Sequence, residues 1–394
     1  MEKDLVRPKI LVLIVLVIAV LSTGSYYFFT PSNHNKIEWV MKSVEKNGLD
    51  LRLASEELRN NREVVKRAIL QNGAALEFAS SSLKNDPEIV RLAVSQNGWE
   101  LQYASAKLQN DPDIVKLAIN QNGYALKFVS LALKNNPEIV KLAVQKHGWA
   151  LEHASLERRN DHEIVKIAVQ QYGCALEFAS EHLRGNYEIV SLAVEQNGYA
   201  MIYAARDLWQ HPEILMKSLK QNGLVLQYIP PEIQTRELIE IAVKQDGKAL
   251  QFVFGELKND PEIVKVAVSQ YGQALRYTSN PELQKDLEIV RIALRQDGKG
   301  LRFLLDHLQN DKEIVLLAVG QYGMALEYAS HELRNDREVA MKAVEQCGRA
   351  LEYASPRLQN DRKVVRAAIL QDKTAFEFAS NELKTNSELR KLAE

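Results

Sequence analysis

The chain has 394 residues, a length that in an ordinary globular protein corresponds to two or three domains. Its 50 lysines and arginines are balanced by 51 aspartates and glutamates, so the net charge of -1 excludes the strongly basic surface of a nucleic-acid-binding protein. The composition, with 46% hydrophobic and 26% charged residues and two cysteines, excludes both a disordered chain and a disulfide-rich secreted module.

The N-terminus carries an apolar segment. Twelve consecutive aliphatic residues run from Ile10 to Leu21, and the aromatic cluster Tyr26-Tyr27-Phe28-Phe29 follows after four small residues. At roughly 1.5 Å per residue, residues 10–29 are long enough to cross a hydrocarbon core of about 30 Å, with the aromatics at its interface. We therefore predict a transmembrane signal-anchor over 10–29.

The charges around this segment predict its orientation. Three cations, Lys3, Arg7 and Lys9, precede it, so residues 1–9 are expected in the cytoplasm and the rest of the chain across the membrane. The alternative is a cleaved signal peptide, which would leave a secreted protein. The aromatic extension and the lack of an A-x-A cleavage site favour the anchor, and a buried core helix is a third interpretation.

After a linker over 30–36, one motif of about 25 residues occupies the chain over 37–385. It is marked by a column of glycines with one deletion and one insertion in the spacing, and Lys373 takes the fourteenth place. The glycines are Gly48, Gly73, Gly98, Gly123, Gly148, Gly173, Gly198, Gly223, Gly247, Gly272, Gly298, Gly323 and Gly348. Self-similarity at a fixed short period predicts a stack of repeats rather than separate domains.

Within one copy the signals predict two helices. Asp86 is a helix N-cap, Pro87 suits the first turn, and Gly98 suits a left-handed residue that ends a helix, so helix A should span roughly Pro87 to Gln96. The recurring block Leu-x-aromatic-Ala-x3-Leu predicts helix B over roughly Glu100 to Leu108. Helices of about ten residues need neighbours, so the fold class is all-α, an α-solenoid of about fourteen helix-turn-helix repeats.

Two parts of the array depart from the consensus. Over 199–255 the motif Pro230-Pro231 interrupts helix B, Ala205 and Phe254 replace the usual serine, and one spacing falls to 24, so we expect a bend or an altered helix there. At the other end, Lys373 replaces glycine and residues 386–394 are polar, which predicts a C-terminal capping helix.

The segments NDPEIVRLAVSQNGWELQYAS, residues 85–105, and NDREVAMKAVEQCGRALEYAS, residues 335–355, combine the cap, the glycine and the Leu-x-aromatic-Ala-Ser block. With this combination the chain, from about residue 37 onward, resembles a tandem-repeat family known only as a domain of unknown function. That family occurs in intracellular bacteria, some protists and large viruses. The resemblance implies an interaction or host-facing role and brings no catalytic residue or cofactor; the N-terminal apolar segment departs from the bare repeat.

The second residue before the glycine is glutamine in twelve of the fourteen copies, with Lys46 and Lys146 as the exceptions. Near the buried end of helix A, the amide of Gln96 could bond to unpaired helix carbonyls or to the next copy. A one-base-per-repeat code for RNA is the alternative. Such a code needs variation between copies and a basic groove, and the sequence has neither, so the structural role is favoured.

The residue that follows each glycine, here named the edge column, does vary. It is aromatic in several early copies and cationic at alternate late copies. Tryptophan and tyrosine are frequent interface anchors, so this column is our candidate partner surface, with packing on the preceding turn as the alternative. The candidates are Trp99, Tyr124, Trp149, Tyr199, Lys248, Lys299 and Arg349.

The sequence offers no catalytic signature: paired carboxylates, a Ser-His-Asp set and a phosphate loop do not stand out. His147, His153 and His162 fall close together, but no cysteine or acidic cluster with ligand spacing joins them, so no metal or cofactor is expected. Cys174 and Cys347 are seven copies apart, tens of ångströms at about 10 Å per helix layer, so no disulfide between them is expected.

We therefore expect a membrane-anchored, non-enzymatic scaffold that binds another protein or peptide and binds neither nucleic acid nor metal. Two alternatives stay open. One is an enzyme or toxin with a site in the irregular copies over 199–255, and the other is a passive structural spacer.

Overall fold

The computed structural model describes residues 37–394, so the predicted signal-anchor over 10–29 and its flanks lie outside the described residues. Every regular element of the described part is helical, which confirms the all-α prediction. None of its helices combines the length and the apolar character that crossing a bilayer requires. The chain divides into two compact units, one ending at Ser155 and the other running from Leu156 to Glu394, and each unit is a stack of repeats.

Each repeat begins with a ten-residue α-helix, helix A. In the third copy it spans Pro87–Gln96, as predicted, because Asp86 caps it and Pro87 occupies its first position. One carboxylate oxygen of Asp86 accepts the backbone N–H groups of Glu88 at 2.9 Å and Ile89 at 3.2 Å. In the first unit the A helices are Ile37–Lys46, Arg62–Gln71, Pro87–Gln96, Pro112–Gln121 and Pro137–Lys146. In the second unit they are His162–Gln171, Tyr187–Gln196, Pro212–Gln221, Arg236–Gln245, Pro261–Gln270, Leu287–Gln296, Lys312–Gln321, Arg337–Gln346 and Arg362–Gln371.

The prediction of a continuous helix B was wrong. The chain instead forms a six-residue 3₁₀ helix, here called the hexapeptide, which in the third copy is Gly98–Tyr103. Two of its buried residues, Gly98 and Leu101, are three apart, and Ala104 follows three later, which matches the three-residue turn of a 3₁₀ helix. Ala104 is extended (φ -67°, ψ 155°) and ends the helix.

The hexapeptides recur in every described copy. They are Gly48–Leu53, Gly73–Phe78, Gly98–Tyr103, Gly123–Phe128 and Gly148–His153 in the first unit. In the second they are Gly173–Phe178, Gly198–Tyr203, Gly223–Tyr228, Gly247–Phe252, Gly272–Tyr277, Gly298–Phe303, Gly323–Tyr328, Gly348–Tyr353 and Lys373–Phe378.

A short third helix closes each repeat, in most copies under a serine cap. Ser55, for example, caps Glu56–Arg59, and its Oγ accepts the N–H of Leu58. The short helices are Glu56–Arg59, Leu83–Asn85, Leu108–Asn110, Leu131–Lys134, Arg158–Asn160, Glu181–Arg184, Arg206–Gln210, Pro231–Ile233, Glu256–Asn259, Pro281–Lys285, Asp306–Gln309, His331–Arg334, Pro356–Gln359 and Asn381–Lys384.

The core of each unit lies between the A helices and the hexapeptides. Ile89, Val90, Ala93 and Val94 of one A helix are fully buried, as is Leu101 of the hexapeptide. Within a unit each A helix packs against the A helices beside it and against the hexapeptide of the preceding repeat. Burial on two sides is why a ten-residue helix is stable here although it would be marginal alone.

Successive repeats are also joined by a serine and an asparagine that lie twenty residues apart. The hydroxyl of Ser105 donates to Oδ1 of Asn85 at 2.7 Å, and the hydroxyl of Ser180 donates to Oδ1 of Asn160 at 2.5 Å. The same pair recurs as Asn60 with Ser80, Asn110 with Ser130, Asn135 with Ser155, Asn259 with Ser279, Asn310 with Ser330, Asn335 with Ser355 and Asn360 with Ser380.

Where the serine is missing, its asparagine partner is missing too. The replaced pairs are Gly185 with Ala205, Gln210 with Pro230, Gln234 with Phe254, and Lys285 with Leu305. A Cβ built on Gly185 would lie 3.6 Å from Cβ of Ala205, so two small residues meet where the polar pair meets elsewhere. At Phe254 the backbone N–H donates to Oε1 of Gln234 instead, at 3.3 Å.

The irregular copies therefore differ only locally. Their A helices, Pro212–Gln221 and Arg236–Gln245, keep ten residues, while the deletion falls in the segment around Pro231–Ile233. Gly255 follows, with φ of +68°, the one positive φ among residues 37–394. The altered element expected over 199–255 is thus the third segment of the repeat rather than helix A.

The outward side of the A helices carries ion pairs between successive repeats. A cation on one A helix meets a carboxylate at the start of the next, as in Lys265 with Glu288 at 2.7 Å. Further pairs are Arg62 with Asp86, Lys166 with Glu188, Arg236 with Asp260, Arg291 with Glu313, Lys312 with Asp336, Arg337 with Asp361 and Arg362 with Glu388. In each of these pairs a basic side chain of this side is neutralised within the chain.

At the C-terminal end, within residues 386–394, a seven-residue helix spans Ser387–Ala393. It is shorter than the A helices that cover the earlier hexapeptides. Lys373 is exposed beneath it, whereas the described glycines of the column are buried.

Candidate functional site

The glycine column holds neighbouring repeats close together and so sets the position of the edge column. A Cβ atom built on Gly98 would lie 2.2 Å from the carbonyl oxygen of Ala118, on the A helix of the next repeat. On Gly298 it would lie 2.3 Å from the carbonyl oxygen of Ala318. Neither glycine has a positive φ, so the predicted left-handed role was wrong, and the glycine is needed because two backbones approach each other.

The glutamines that stand two residues before the glycines also hold neighbouring repeats together, through hydrogen bonds to the backbone of the preceding repeat. The N–H of Gly73 donates to Oε1 of Gln96 at 2.8 Å, and Nε2 of Gln96 donates to the carbonyl of Ile69 at 2.7 Å. The glycine-to-glutamine bond recurs at Gly48, Gly173, Gly223, Gly272, Gly323 and Gly348. This confirms the predicted structural role, although the carbonyls belong to the preceding repeat rather than the next one.

An asparagine before the glycine orients the start of the hexapeptide. Oδ1 of Asn97 accepts the N–H of Trp99 at 3.1 Å, and Oδ1 of Asn122 accepts the N–H of Tyr124 at 2.9 Å. The backbone of the edge column is therefore fixed by a cap in these copies.

In the first unit two edge-column residues, Trp99 and Tyr124, form a row of aromatic rings with Phe128 and His147. Trp99 is 36% exposed; its ring lies 6.4 Å from that of Tyr124, nearly parallel, and 5.3 Å from Phe128, edge to face. Tyr124, which is half-buried, continues the row 4.4 Å from the ring of His147. The Trp99 and Tyr124 side chains thus lie against the following repeat, and part of the Trp99 surface stays open to solvent.

The other aromatic candidates are less exposed. Trp149 and Tyr199 are both half-buried, and the Tyr199 ring packs edge to face on Tyr228 at 6.3 Å. Cys174, the edge-column residue that lies between them in the sequence, is buried.

In the second unit the cations of the edge column lie over aromatic rings of the next repeat. Nζ of Lys248 lies 5.3 Å from the ring centre of Tyr271, and Nζ of Lys299 lies 4.9 Å from that of Tyr322. Both lysines are exposed. These distances are typical of cation–π interactions, which order a long side chain while its charged group stays at the surface.

Arg349 differs from the two lysines because a carboxylate is also near. Its guanidinium lies 5.6 Å from the ring centre of Phe378 and 3.8 Å from Glu377. The charge of Arg349 is therefore partly compensated by Glu377 of the next repeat.

Two further cations of this surface were missed by the sequence reasoning, because it considered only the residue after the glycine. Arg276 and Arg302 stand four residues after their glycines. The guanidinium of Arg276 lies 4.9 Å from the ring of Tyr277 and 5.4 Å from that of Phe303. Arg302 lies 5.1 Å from Phe303. Arginine at the fourth position of adjacent copies was the signal in the sequence.

Another residue that the sequence reasoning missed is Glu100. It stands two residues after the glycine, where ten of the fourteen copies have alanine, and it is only 5% exposed. Its Oε1 accepts the side-chain N–H of Asn97 at 3.1 Å, whereas its Oε2 has no hydrogen-bond partner. Burial raises the pKa of Glu100, and the bond from Asn97 opposes that rise only in part.

The histidines and cysteines lie in separate surroundings. His147 and His153 flank the Tyr124 ring, and His162 lies 3.5 Å from Glu188, with which it would pair when protonated. Over residues 37–394 no three His, Cys, Asp or Glu side chains are arranged to hold a metal ion. Cys174 and Cys347 are free thiols, and burial raises the pKa of Cys174.

The irregular copies over 199–255 contain three groups with shifted pKa values. Burial raises the pKa of Tyr203. Lys217 and Arg236 have raised pKa values chiefly through hydrogen bonds to Glu195 and Glu240. Each of the three shifts is explained by burial or by an ion pair.

A family model matches the chain repeatedly. The model of a family described as a domain of unknown function, DUF4116, matches residues 40–84, 61–105, 86–134, 136–184, 186–234, 235–284, 286–334, 311–358 and 336–384. Together these matches cover well over half of the chain. No curated protein matches the chain.

Proposed function

Because the chain belongs to the DUF4116 family, whose function is not assigned, we propose from its own geometry that it is a non-enzymatic scaffold. Its binding surface is the hexapeptide face, defined as the side chains one, four and five residues after each glycine. The partner is another protein or peptide.

The observation that carries this proposal is the aromatic row of the first unit. Trp99 is 36% exposed while its ring and backbone are held by Phe128, Tyr124 and Asn97. A large aromatic side chain that is already ordered loses little entropy when a partner covers it, which is why such residues dominate binding energies. An edge position recurs once in every repeat, an arrangement that suits an extended polypeptide better than a compact small molecule.

The test is capture followed by direct binding. A partner captured with the 394-residue chain is purified, and its dissociation constant is measured for the wild type and for Trp99→Ala. We expect at least a tenfold weaker complex, the loss typical of an interface anchor. Tyr124→Ala and Trp149→Ala should weaken the same complex.

The matched control is Leu131→Ala. Leu131 is also a large exposed apolar residue of the first unit, but it lies on a short helix outside the hexapeptide face. Its replacement should leave the affinity unchanged. If every purified partner binds the three aromatic variants as tightly as the wild type, the scaffold acts as a spacer and the proposal fails.

We also propose that residues 10–29 tether the scaffold to a membrane, on the strength of the sequence pattern alone. Alkaline extraction of membranes separates an integral chain from a released one. N-terminal sequencing of the product distinguishes an anchor, which keeps Met1 or its neighbour, from a cleaved signal peptide.

A further inference from the structure

Three consecutive repeats of the second unit carry four basic side chains on the hexapeptide face, here called the cation stripe: Lys248, Arg276, Lys299 and Arg302. All four are exposed. We propose that the cation stripe binds an acidic segment of a partner protein. This inference rests on the proposed scaffold function and names the chemistry of one partner.

The first argument is the contrast with the A-helix side of the same repeats. There Lys265 pairs with Glu288 at 2.7 Å and Arg291 pairs with Glu313 at 3.0 Å, so the charges of these two side chains are compensated inside the chain. No cation of the stripe comes within 4.0 Å of a carboxylate oxygen in the described part of the chain. The positive charge of the stripe is therefore not compensated by ion pairs within the described chain and is available to an acidic partner.

The second argument is that the basic side chains of the stripe are ordered by neighbouring aromatic rings. Lys248 and Lys299 lie over Tyr271 and Tyr322, and the guanidinium of Arg276 also donates to the hydroxyl of Tyr277 at 3.0 Å. Rings hold these side chains without using up their charge, because a cation–π contact leaves most donor N–H groups available. An ordered cation loses less rotamer entropy on binding an anion than a freely moving one.

The two carboxylates closest along the chain are already engaged. Oδ1 of Asp246 accepts the backbone N–H of Lys248 at 2.8 Å, and Oδ1 of Asp297 accepts that of Lys299 at 2.9 Å. Oδ2 of Asp297 accepts Nε2 of Gln273 at 2.7 Å. These aspartates cap the hexapeptides and make no ion pair with the lysine side chains.

The limits of the stripe favour an acidic polypeptide over a nucleic acid. At the fourth position after the glycine, the copies that follow have Glu327, Glu352 and Glu377, and Glu177 stands at this position earlier in the unit. A phosphate backbone running along the face would meet these carboxylates, whereas a short acidic segment would not. At about 10 Å per helix layer the stripe is roughly 20 Å long, the length of about six extended residues.

The experiment measures binding of a fluorescein-labelled octaglutamate peptide to the 394-residue chain by fluorescence anisotropy. The test variant combines Lys248→Gln, Arg276→Gln, Lys299→Gln and Arg302→Gln. The control variant combines Arg236→Gln, Lys265→Gln, Arg291→Gln and Lys312→Gln, which changes the net charge equally on the A-helix side. Circular dichroism verifies that both variants are folded.

We expect the test variant to bind octaglutamate at least tenfold more weakly than the wild type and the control variant less than threefold more weakly. Undetectable binding to the wild type, or equal losses in the two variants, would overturn the inference. So would tighter, stripe-dependent binding of an oligothymidylate of similar length. If a purified partner still depends on Trp99 in any of these cases, the scaffold proposal stands and only the acidic partner is lost.

Discussion

Gly298→Ala tests whether close approach of two backbones, and not a special φ, requires the glycine column. The added Cβ would lie 2.3 Å from the carbonyl oxygen of Ala318 and 3.0 Å from the backbone nitrogen of Tyr322. Neither atom can move unless the two repeats separate. We therefore expect the free energy of unfolding to fall by about 2–3 kcal/mol, the upper part of the range for an overpacked core.

Gly300→Ala is the matched control, in the same hexapeptide and with the same chemical change. Its Cβ would meet only Cδ2 of Leu294, at 3.4 Å, which is ordinary contact with a flexible side chain. Alanine already stands at this position in ten of the fourteen copies. Because alanine restricts the unfolded chain, we expect Gly300→Ala to raise the free energy of unfolding by about 0.5–1 kcal/mol.

The assay is urea unfolding followed by far-ultraviolet circular dichroism. Stacks of repeats can unfold in steps, so hydrogen exchange measured by mass spectrometry should also locate the loss. In Gly298→Ala, protection should fall in the hexapeptide Gly298–Phe303 and in the facing A helix Lys312–Gln321. Equal free energies of unfolding for the two variants would refute the close-approach explanation.

Three further predictions concern single side chains. Gln96→Ala leaves a backbone N–H and a helix carbonyl of the preceding repeat unpaired, so urea unfolding should show a loss of about 1–3 kcal/mol. Glu100→Ala removes a buried carboxyl with an unpartnered oxygen and should stabilise the chain by about 1–2 kcal/mol at neutral pH. Since burial raises the pKa of Glu100 in the folded state, this gain should vanish below the ordinary glutamate pKa and grow as the pH rises through the raised value. Ser105→Ala should cost about 1 kcal/mol, and less in an Asn85→Gly background, which a double-mutant cycle measures.

Each of these expectations has an opposing result. Unchanged stability of Gln96→Ala would mean that the glutamine bonds contribute nothing. A gain for Glu100→Ala that is the same at about pH 4 and about pH 7 would place its cause in packing rather than in ionisation. Fully additive losses for Ser105 and Asn85 would show that the two side chains are not coupled.

Helix A of the third copy, predicted to span roughly Pro87 to Gln96, has these bounds in the structure because several local signals agree. In Pro87–Gln96 the cap, the proline and the apolar spacing all point to the same bounds. The hexapeptide could not be predicted in the same way. The spacing of Leu101 and Ala104 fits one face of either an α-helix or a 3₁₀ helix, and the extended backbone at Ala104 is set by packing.

The candidate site was predicted in part for a related reason. The edge column was visible as a varying position in a regular repeat, but what each side chain touches depends on the stacking of the next copy. That Arg276 belongs to this surface follows from its contact with the Phe303 ring of the next repeat, and the sequence does not show that contact. A left-handed turn and a close approach of two backbones both require glycine, so the sequence does not distinguish them. The φ angle of Gly98 and the distance from a Cβ built on it to the carbonyl oxygen of Ala118 do.

The serine–asparagine pairs have a consequence for how such an array can be rearranged. A copy that contains Ala205 fits behind Gly185, and a copy that contains Ser105 fits behind Asn85. If the copy that contains Ala205 took the place of a copy that contains the serine, an asparagine would meet an alanine and lose its hydrogen bond. Copies that carry both the serine and the asparagine can therefore be duplicated or exchanged with this pair intact, whereas the copy with Gly185 and the copy with Ala205 keep their contact only if they move together.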